Sequence, residues 1–208
     1  MYDRRMTDPL ERGVSAFILA GGKSSRMGTD KAFLEFEGRT LLARALDLAR
    51  SFTPKVRVVG DAAKFAALAP VVEDVFRGCG PLAGIHAALR FSSTELNLVL
   101  GVDMPLVSLA LLQYLLERAR DSGDAWATVP RAAAGWQPLC AIYRRSFAGA
   151  AEAALCAGNY KIGAVFGSIK VQAVEPEELA AAGFAPEIFR NLNTPADLAL
   201  ALNPETEN

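Results

Sequence analysis

Cysteine and histidine are scarce in this chain: 208 residues carry three of the first and one of the second. Cys79, Cys140 and Cys156 are far apart and form no C-x-x-C pair. They supply neither a disulfide framework nor a zinc site, fit a reducing cytoplasm, and read most simply as core residues. Net charge is also nearly absent. The 22 Lys and Arg and 23 Asp and Glu leave a formal charge of -1, which gives no general attraction for nucleic acid or for an anionic membrane. An anionic ligand must therefore be held by a local cluster of donors and cations. No apolar run approaches the roughly 18 residues of a membrane-spanning helix. The first 13 residues place Asp3, Arg4, Arg5, Asp8, Glu11 and Arg12 around no apolar core, which is not the pattern of a signal peptide.

What is present is globular. Hydrophobic residues make up 51% and charged residues 22% of the chain, a composition that buries a core. The length suits one domain, and no internal repeat, low-complexity tract or linker divides it. The expected organisation is a flexible tail over 1–13, a single domain over 14–202 and a short flexible tail over 203–208, in a soluble cytoplasmic protein.

Strand-length apolar runs alternate with helix-length amphipathic ones. Strands are expected at 14–19, 55–60, 71–72, 96–102, 125–129, 139–143 and 169–174. Helices are expected from Leu41 to Ser51 behind a Thr40 cap, over 61–69 and 81–90, from a Ser108 cap to Arg120, over 146–157, and over 195–201 behind Thr194. Alternation of this kind predicts an α/β domain, Rossmann-like and three-layered, with a mostly parallel sheet and helices on both faces. Ligands of such sheets sit beyond the carboxyl ends of the strands.

The segment Leu19-Ala20-Gly21-Gly22-Lys23-Ser24-Ser25-Arg26-Met27-Gly28-Thr29-Asp30-Lys31 follows the first expected strand. Adjacent glycines let backbone N–H groups converge on a phosphate, Arg26 adds a fork of donors and Lys31 a compact charge. A Walker loop is excluded, because Phe17 stands where Gly22-Lys23-Ser24 would require glycine. A dinucleotide fingerprint is excluded by the spacing of Gly21, Gly22 and Gly28. The remaining alternative is a strand-to-helix turn with incidental basic residues.

With Asp30-Lys31 at its end, this loop resembles the signature of the molybdenum cofactor guanylyltransferase family, the MobA-like nucleotidyltransferases; sugar-phosphate nucleotidyltransferases carry a related loop. The resemblance runs from about Val14 to Leu202. It implies a nucleotide-binding role for Leu19, Ala20, Gly21 and Gly22, and phosphate contacts from Arg26 and Lys31.

Leu98 to Pro105 is an apolar strand that delivers one carboxylate, Asp103, at its end. One carboxylate together with substrate phosphates can hold Mg2+, while the bland reading is an Asp capping the next turn. The resemblance places the family's magnesium at this Asp-x-Pro. Gly78-Cys79-Gly80-Pro81-Leu82-Ala83-Gly84 allows close approach of backbone to a ligand, or tight packing of a helix on the sheet. By resemblance Gly80 lies near the nucleotide and Asp74 matches a position used for the guanine nucleotide. Asn191-Leu192-Asn193-Thr194-Pro195 reads as a helix start, and by resemblance Asn191 and Asn193 lie beside the metal aspartate. Related cytidylyltransferases tend to carry aspartate there, so guanylyl transfer is favoured. On the side expected to face molybdopterin, Gln137 could bond the pterin or its phosphate, Trp136 could stack on it, and Lys161 could hold the phosphate; each has a structural alternative.

The implied reaction joins GMP from GTP to molybdopterin with Mg2+ as cofactor. The alternatives are a cytidylyltransferase or another small-molecule-phosphate nucleotidyltransferase on the same scaffold, and a non-catalytic protein that binds the nucleotide or handles the cofactor. Partners implied are GTP, molybdopterin and molybdoenzyme chaperones, with neither nucleic acid nor membrane. His86 reads as a packed or surface residue and not as a general base.

Overall fold

The structure, a computed structural model, describes residues 13–21, 30–132, 135–192 and 197. The expected site residues Gly22, Arg26 and Asn193, residues 1–12 of the expected amino-terminal tail, the expected carboxyl-terminal tail and the body of the expected helix over 195–201 lie outside the described residues.

The first apolar run forms β1 (Val14–Leu19), buried along its whole length. A hairpin of β2 (Glu35–Phe36) and β3 (Arg39–Thr40) leads into α1 (Leu41–Phe52), where Thr40 Oγ1 accepts from the Ala43 N–H at 3.2 Å. The expected face of Leu41, Leu42, Ala45, Leu46 and Ala49 is buried. Then follow β4 (Val56–Val59), α2 (Ala62–Phe65), β5 (Val71–Val72), α3 (Pro81–Phe91), β6 (Leu96–Gly101) and α4 (Leu109–Asp121). The last part comprises β7 (Ala127–Ala132), β8 (Gly135–Trp136), β9 (Cys140–Arg144), α5 (Phe147–Cys156), α6 (Ile162–Phe166), β10 (Val171–Val174) and α7 (Pro176–Ala181).

The main sheet runs β10-β7-β9-β6-β1-β4-β5, with β8 paired to β7. Within that path β9 alone runs against its neighbours, antiparallel to both β6 and β7. Successive residues of a strand point to opposite faces, and the core divides accordingly. Ala16, Ile18, Leu98 and Leu100 join α1 and α4 on one side; Phe17, Leu19 and Val99 join α3 and α5 on the other. The expected three-layer, mostly parallel α/β architecture is therefore the one observed.

The expected helix over 61–69 shortens to α2, capped by Asp61, whose Oδ1 accepts from the Ala63 N–H at 2.9 Å. Beyond Phe65 the chain turns, with Leu68 N–H donating to the Phe65 carbonyl at 2.9 Å, and does not continue the helix. The β2–β3 hairpin, β8, α6 and α7 are too short to imprint a periodicity and were not expected. Burial as a core residue holds for Cys140 alone among the thiols: Cys79 is half-buried and Cys156 exposed. Among the described residues no helix is long and apolar enough to cross a membrane.

Candidate active site

β1 and β6 lie side by side, with Leu19 opposite Gly101. The chain leaves β1 for β4 on one flank and returns as β6 on the other. Their carboxyl ends therefore flank the point where the winding reverses, which is where open α/β sheets hold ligands. Val102 N–H donates to the Leu19 carbonyl and Ala20 N–H to that of Val59, each at 3.1 Å. Leu19 and Ala20 are buried and set the loop's departure; Gly21 is exposed at the rim.

Asp103 emerges from β6 two residues past the strand's end. Its side chain is 20% exposed, and its Oδ2 lies 3.8 Å from Lys31 Nζ. A Cβ on Gly101 would come within 2.9 Å of Asp103 Oδ1, so a bare glycine is what lets the carboxylate lie back over the strand end. Lys31 opens a 3-10 turn, Lys31–Phe33, capped by Asp30, whose Oδ1 accepts from the Ala32 N–H at 3.2 Å. Asp30 is also held by Lys64, with Nζ 2.8 Å from Oδ2, an anchor the sequence did not announce. At 3.8 Å the Lys31–Asp103 pair is looser than a hydrogen bond, which leaves the carboxylate able to take a hard cation.

Among the described residues no group of three or more His, Cys, Asp or Glu could hold a metal. A cation here would rest on Asp103 with substrate phosphates and water, a donor set that suits Mg2+. Leu192 N–H donates to the Asp103 carbonyl at 2.9 Å, so the carboxyl-terminal segment is tied to the aspartate and Asn191, exposed, stands beside it.

On the β4–β5 flank a cavity of about 330 Å3 is lined by Gly21, Gly60, Asp61, Glu73, Asp74, Arg77 and Gly78. It unites two expected residues, Gly21 and Asp74. Gly78 belongs to the second glycine loop expected near the ligand, whereas Gly60, Asp61 and Arg77 were missed, although Gly60 and Asp61 follow a strand end just as Gly21 does. Asp61, Glu73 and Asp74 outnumber the one cation, Arg77, so the part of the cavity away from Gly21 favours N–H donors. Burial raises the Asp74 pKa above its ordinary value, and the nearby His86 opposes that shift.

The glycines of the second loop divide between the two readings offered for them. Gly80, at φ +74°, caps α3 ahead of Pro81, in a conformation that favours glycine. Gly84 is a packing residue: a Cβ there would meet Leu19 Cδ2 at 3.2 Å.

On the other flank β9 runs backwards, so its beginning lies at the site edge; Gly101 N–H donates to the Leu139 carbonyl at 2.6 Å. Gln137 stands two residues earlier, its Nε2 donating to the Gly135 carbonyl at 3.3 Å. Trp136 is packed edge-on against Phe166 and covered by Arg131, whose guanidinium carbon is 4.8 Å from the indole centre. Lys161 is exposed at the start of α6. The thiol of Cys79 beside its neighbour Tyr160 holds the phenol's pKa up, so Lys161 and the Gly80 loop lie on the same side of the site.

The MobA-like NTP transferase domain profile matches residues 16–173. The chain belongs to the MobA-like NTP transferase family. Every described site residue of this MobA-like domain except Asn191 falls within the matched segment. A probable molybdenum cofactor guanylyltransferase of Pelotomaculum thermopropionicum is 34% identical over 186 residues, 88% of this chain and 89% of the relative. The crystal structure of molybdopterin-guanine dinucleotide biosynthesis protein A from Archaeoglobus fulgidus superposes with a TM-score of 0.78 at 29% identity, over 90% of this chain and 96% of that one. A 2-C-methyl-D-erythritol 4-phosphate cytidylyltransferase from Thermus thermophilus, 20% identical, shares the fold with a TM-score of 0.64 over 89% of this chain and 95% of its own.

Proposed function

We infer that this protein transfers GMP from GTP to the terminal phosphate of molybdopterin, releasing pyrophosphate and forming the guanine dinucleotide cofactor. The observation that carries the reading is the meeting of Lys31 and Asp103, 3.8 Å apart, at the adjoining carboxyl ends of β1 and β6. The names of the relatives supply the nucleotide and the acceptor.

An oxygen of the acceptor phosphate attacks the α-phosphorus of GTP. The bond from that phosphorus to the bridging oxygen breaks, and its electron pair departs with pyrophosphate. The acceptor is already ionised, so no general base is required, which agrees with the burial of the lone histidine, His86. Mg2+ held by Asp103 would supply positive charge to the nucleotide phosphates. Lys31 offsets charge gathering on the leaving group, a role Arg26 shares in this proposal, and the Gly21–Gly22 backbone admits the phosphates closely. Asp74 accepts hydrogen bonds from the N–H donors of the base. Guanine offers two such donors side by side, a ring N–H and an exocyclic amine, and a carboxylate accepts both. Gln137, Lys161, Asn191 and Asn193 are assigned to the acceptor and metal rim, where holding both anions in register supplies much of the rate. The reading carries a cytoplasmic location and delivery of the product to molybdoenzyme chaperones or other cofactor-biosynthesis proteins.

The test is pyrophosphate release with Mg2+ and molybdopterin, comparing GTP with CTP, ATP and UTP. Release with GTP alone, lost in Asp103→Ala, is expected. Release with CTP alone assigns the sister activity, and silence from folded protein refutes the reading.

A further inference from the structure

The turn that carries Lys31 is fastened at both ends to one short helix, α2. Asp30 caps the turn through Oδ1, which accepts from the Ala32 N–H at 3.2 Å, and its Oδ2 takes Lys64 Nζ of α2 at 2.8 Å. Phe33, at the other end of the turn, stacks on Phe65, the next residue of α2, with ring centroids 5.9 Å apart and planes 27° from parallel. Ala32 between them is fully buried. The core holds the turn from below and α2 holds it from the flank, with Lys31 in the stretch between the two attachments.

The ion pair is not there for stability. Lys64 is 51% and Asp30 20% exposed, and a pair so open to water contributes little to folding. Its consequence is directional: a carboxylate engaged on both oxygens fixes the backbone where Lys31 begins, and Lys31 Nζ then lies 3.8 Å from Asp103 Oδ2. α2 is itself anchored on its far side. Its cap, Asp61, lines the cavity that holds Asp74, together with Gly60 and Gly21. Phe65, 1% exposed, packs so closely against Gly60 that a Cβ there would meet its Cε2 at 2.9 Å. The same helix therefore joins the wall of that cavity to the Lys31 turn.

We propose that Lys64 is a positioning residue for nucleotidyl transfer: through Asp30 it fastens the Lys31 turn to α2, and so fixes where the Lys31 ammonium meets the phosphates relative to the Asp74 cavity. This rests on the reading of Lys31 as a phosphate-contacting cation.

Substitutions on both sides of the pair test it, read by kcat, by thermal melting and by calorimetric titration of inorganic pyrophosphate into the full chain. Lys64→Met removes the charge and keeps an unbranched side chain; Asp30→Asn keeps a capping oxygen and removes the partner's charge. Each is expected to lower kcat about 10-fold, since misplacement of a catalytic group by about 1 Å costs about 100-fold and a loosened turn shifts it by less. The melting temperature should stay within a few degrees of the parent. Lys64→Arg, which keeps the charge, recovers most of the loss. The double variant falls no further than either single one, and Lys64→Met adds nothing in a Lys31→Met background, because these residues act as one unit. Full kcat in Lys64→Met overturns the proposal, as does an undiminished loss in the Lys31→Met background or a loss that tracks a collapsed melting temperature. Pyrophosphate binding separates this from the reading beneath it, because that affinity does not depend on which nucleotide or acceptor is the substrate. If GTP and molybdopterin give no turnover, the reading of the reaction fails and pyrophosphate alone judges Lys64. Weaker binding in Lys64→Met, as in Lys31→Met, then sustains its role; unchanged binding in either variant overturns it.

Discussion

Replacing Gly101 by alanine adds one methyl group at the end of β6, and the structure says where it lands: 2.9 Å from Asp103 Oδ1, 3.3 Å from Leu139 Cβ and 3.6 Å from Met104 Sδ. Real Cβ contacts begin at 3.0 Å and are ordinary only from 3.4 Å, so the carboxylate must retreat by about half an ångström or rotate. Leu139 gives less readily, because the backbone bond from Gly101 N–H to its carbonyl is already 2.6 Å. The strand backbone accepts alanine, and Gly→Ala at a compatible position gains about 0.4–1 kcal/mol through the unfolded chain. The fold should therefore survive with a melting temperature within a few degrees of the parent. The chemistry should not, because misplacement of a catalytic group by about 1 Å costs about 100-fold; half of that displacement predicts a fall in kcat of about 10-fold or more. Pyrophosphate release under saturating GTP, molybdopterin and Mg2+ measures it, with a thermal melt on the same sample. Full activity in Gly101→Ala would mean that the position of Asp103 is not critical, and the assignment of that residue would fail. A loss of activity that tracks a collapsed melting temperature would refute the local reasoning instead.

Lys31→Met removes the cation beside Asp103 and is expected to lower kcat about 100- to 1000-fold, the usual cost of losing one preorganised charge. Its melting temperature should hold, since a partly exposed pair this loose adds little stability. Gly84→Ala forces a Cβ to 3.2 Å from Leu19 Cδ2; overpacking outweighs the better helix propensity and leaves a loss of about 1 kcal/mol in urea unfolding, and a gain would refute the packing role. Because burial raises the Asp74 pKa, its carboxylate is present above that raised value and is lost as pH falls through it. GTP affinity should therefore decline on acidification earlier than an ordinary aspartate would dictate, and Asp74→Asn should abolish that limb in a KM-versus-pH profile.

Much of this was legible along the chain because the signals are local. Apolar runs that stop at Gly21 and Asp103 mark strand ends, Thr40 and Ser108 announce helix starts, and the alternation of strands and helices implies a mostly parallel sheet. A residue's own neighbours decide those matters, through side-chain period, capping and the conformational freedom of glycine. The likeness of the loop then pointed to the family. What the sequence could not announce depends on which distant segments lie together. Nothing near Leu19 says that its strand partner is Gly101, yet that pairing brings Lys31 to Asp103. Nothing near Gln137 says that β9 runs backwards and so starts at the site edge. His86 looked like an unremarkable helix residue, and only packing buries it and brings Glu152 of the neighbouring helix within 3.7 Å of its Nε2. Cys79, Cys140 and Cys156 looked alike, and packing alone separated the buried one, its pKa pushed up to about 12, from the others. Close packing determines which separate segments share an interior, and with it the contacts, burial and charge environment of each side chain; the local pattern of residues does not encode these one segment at a time.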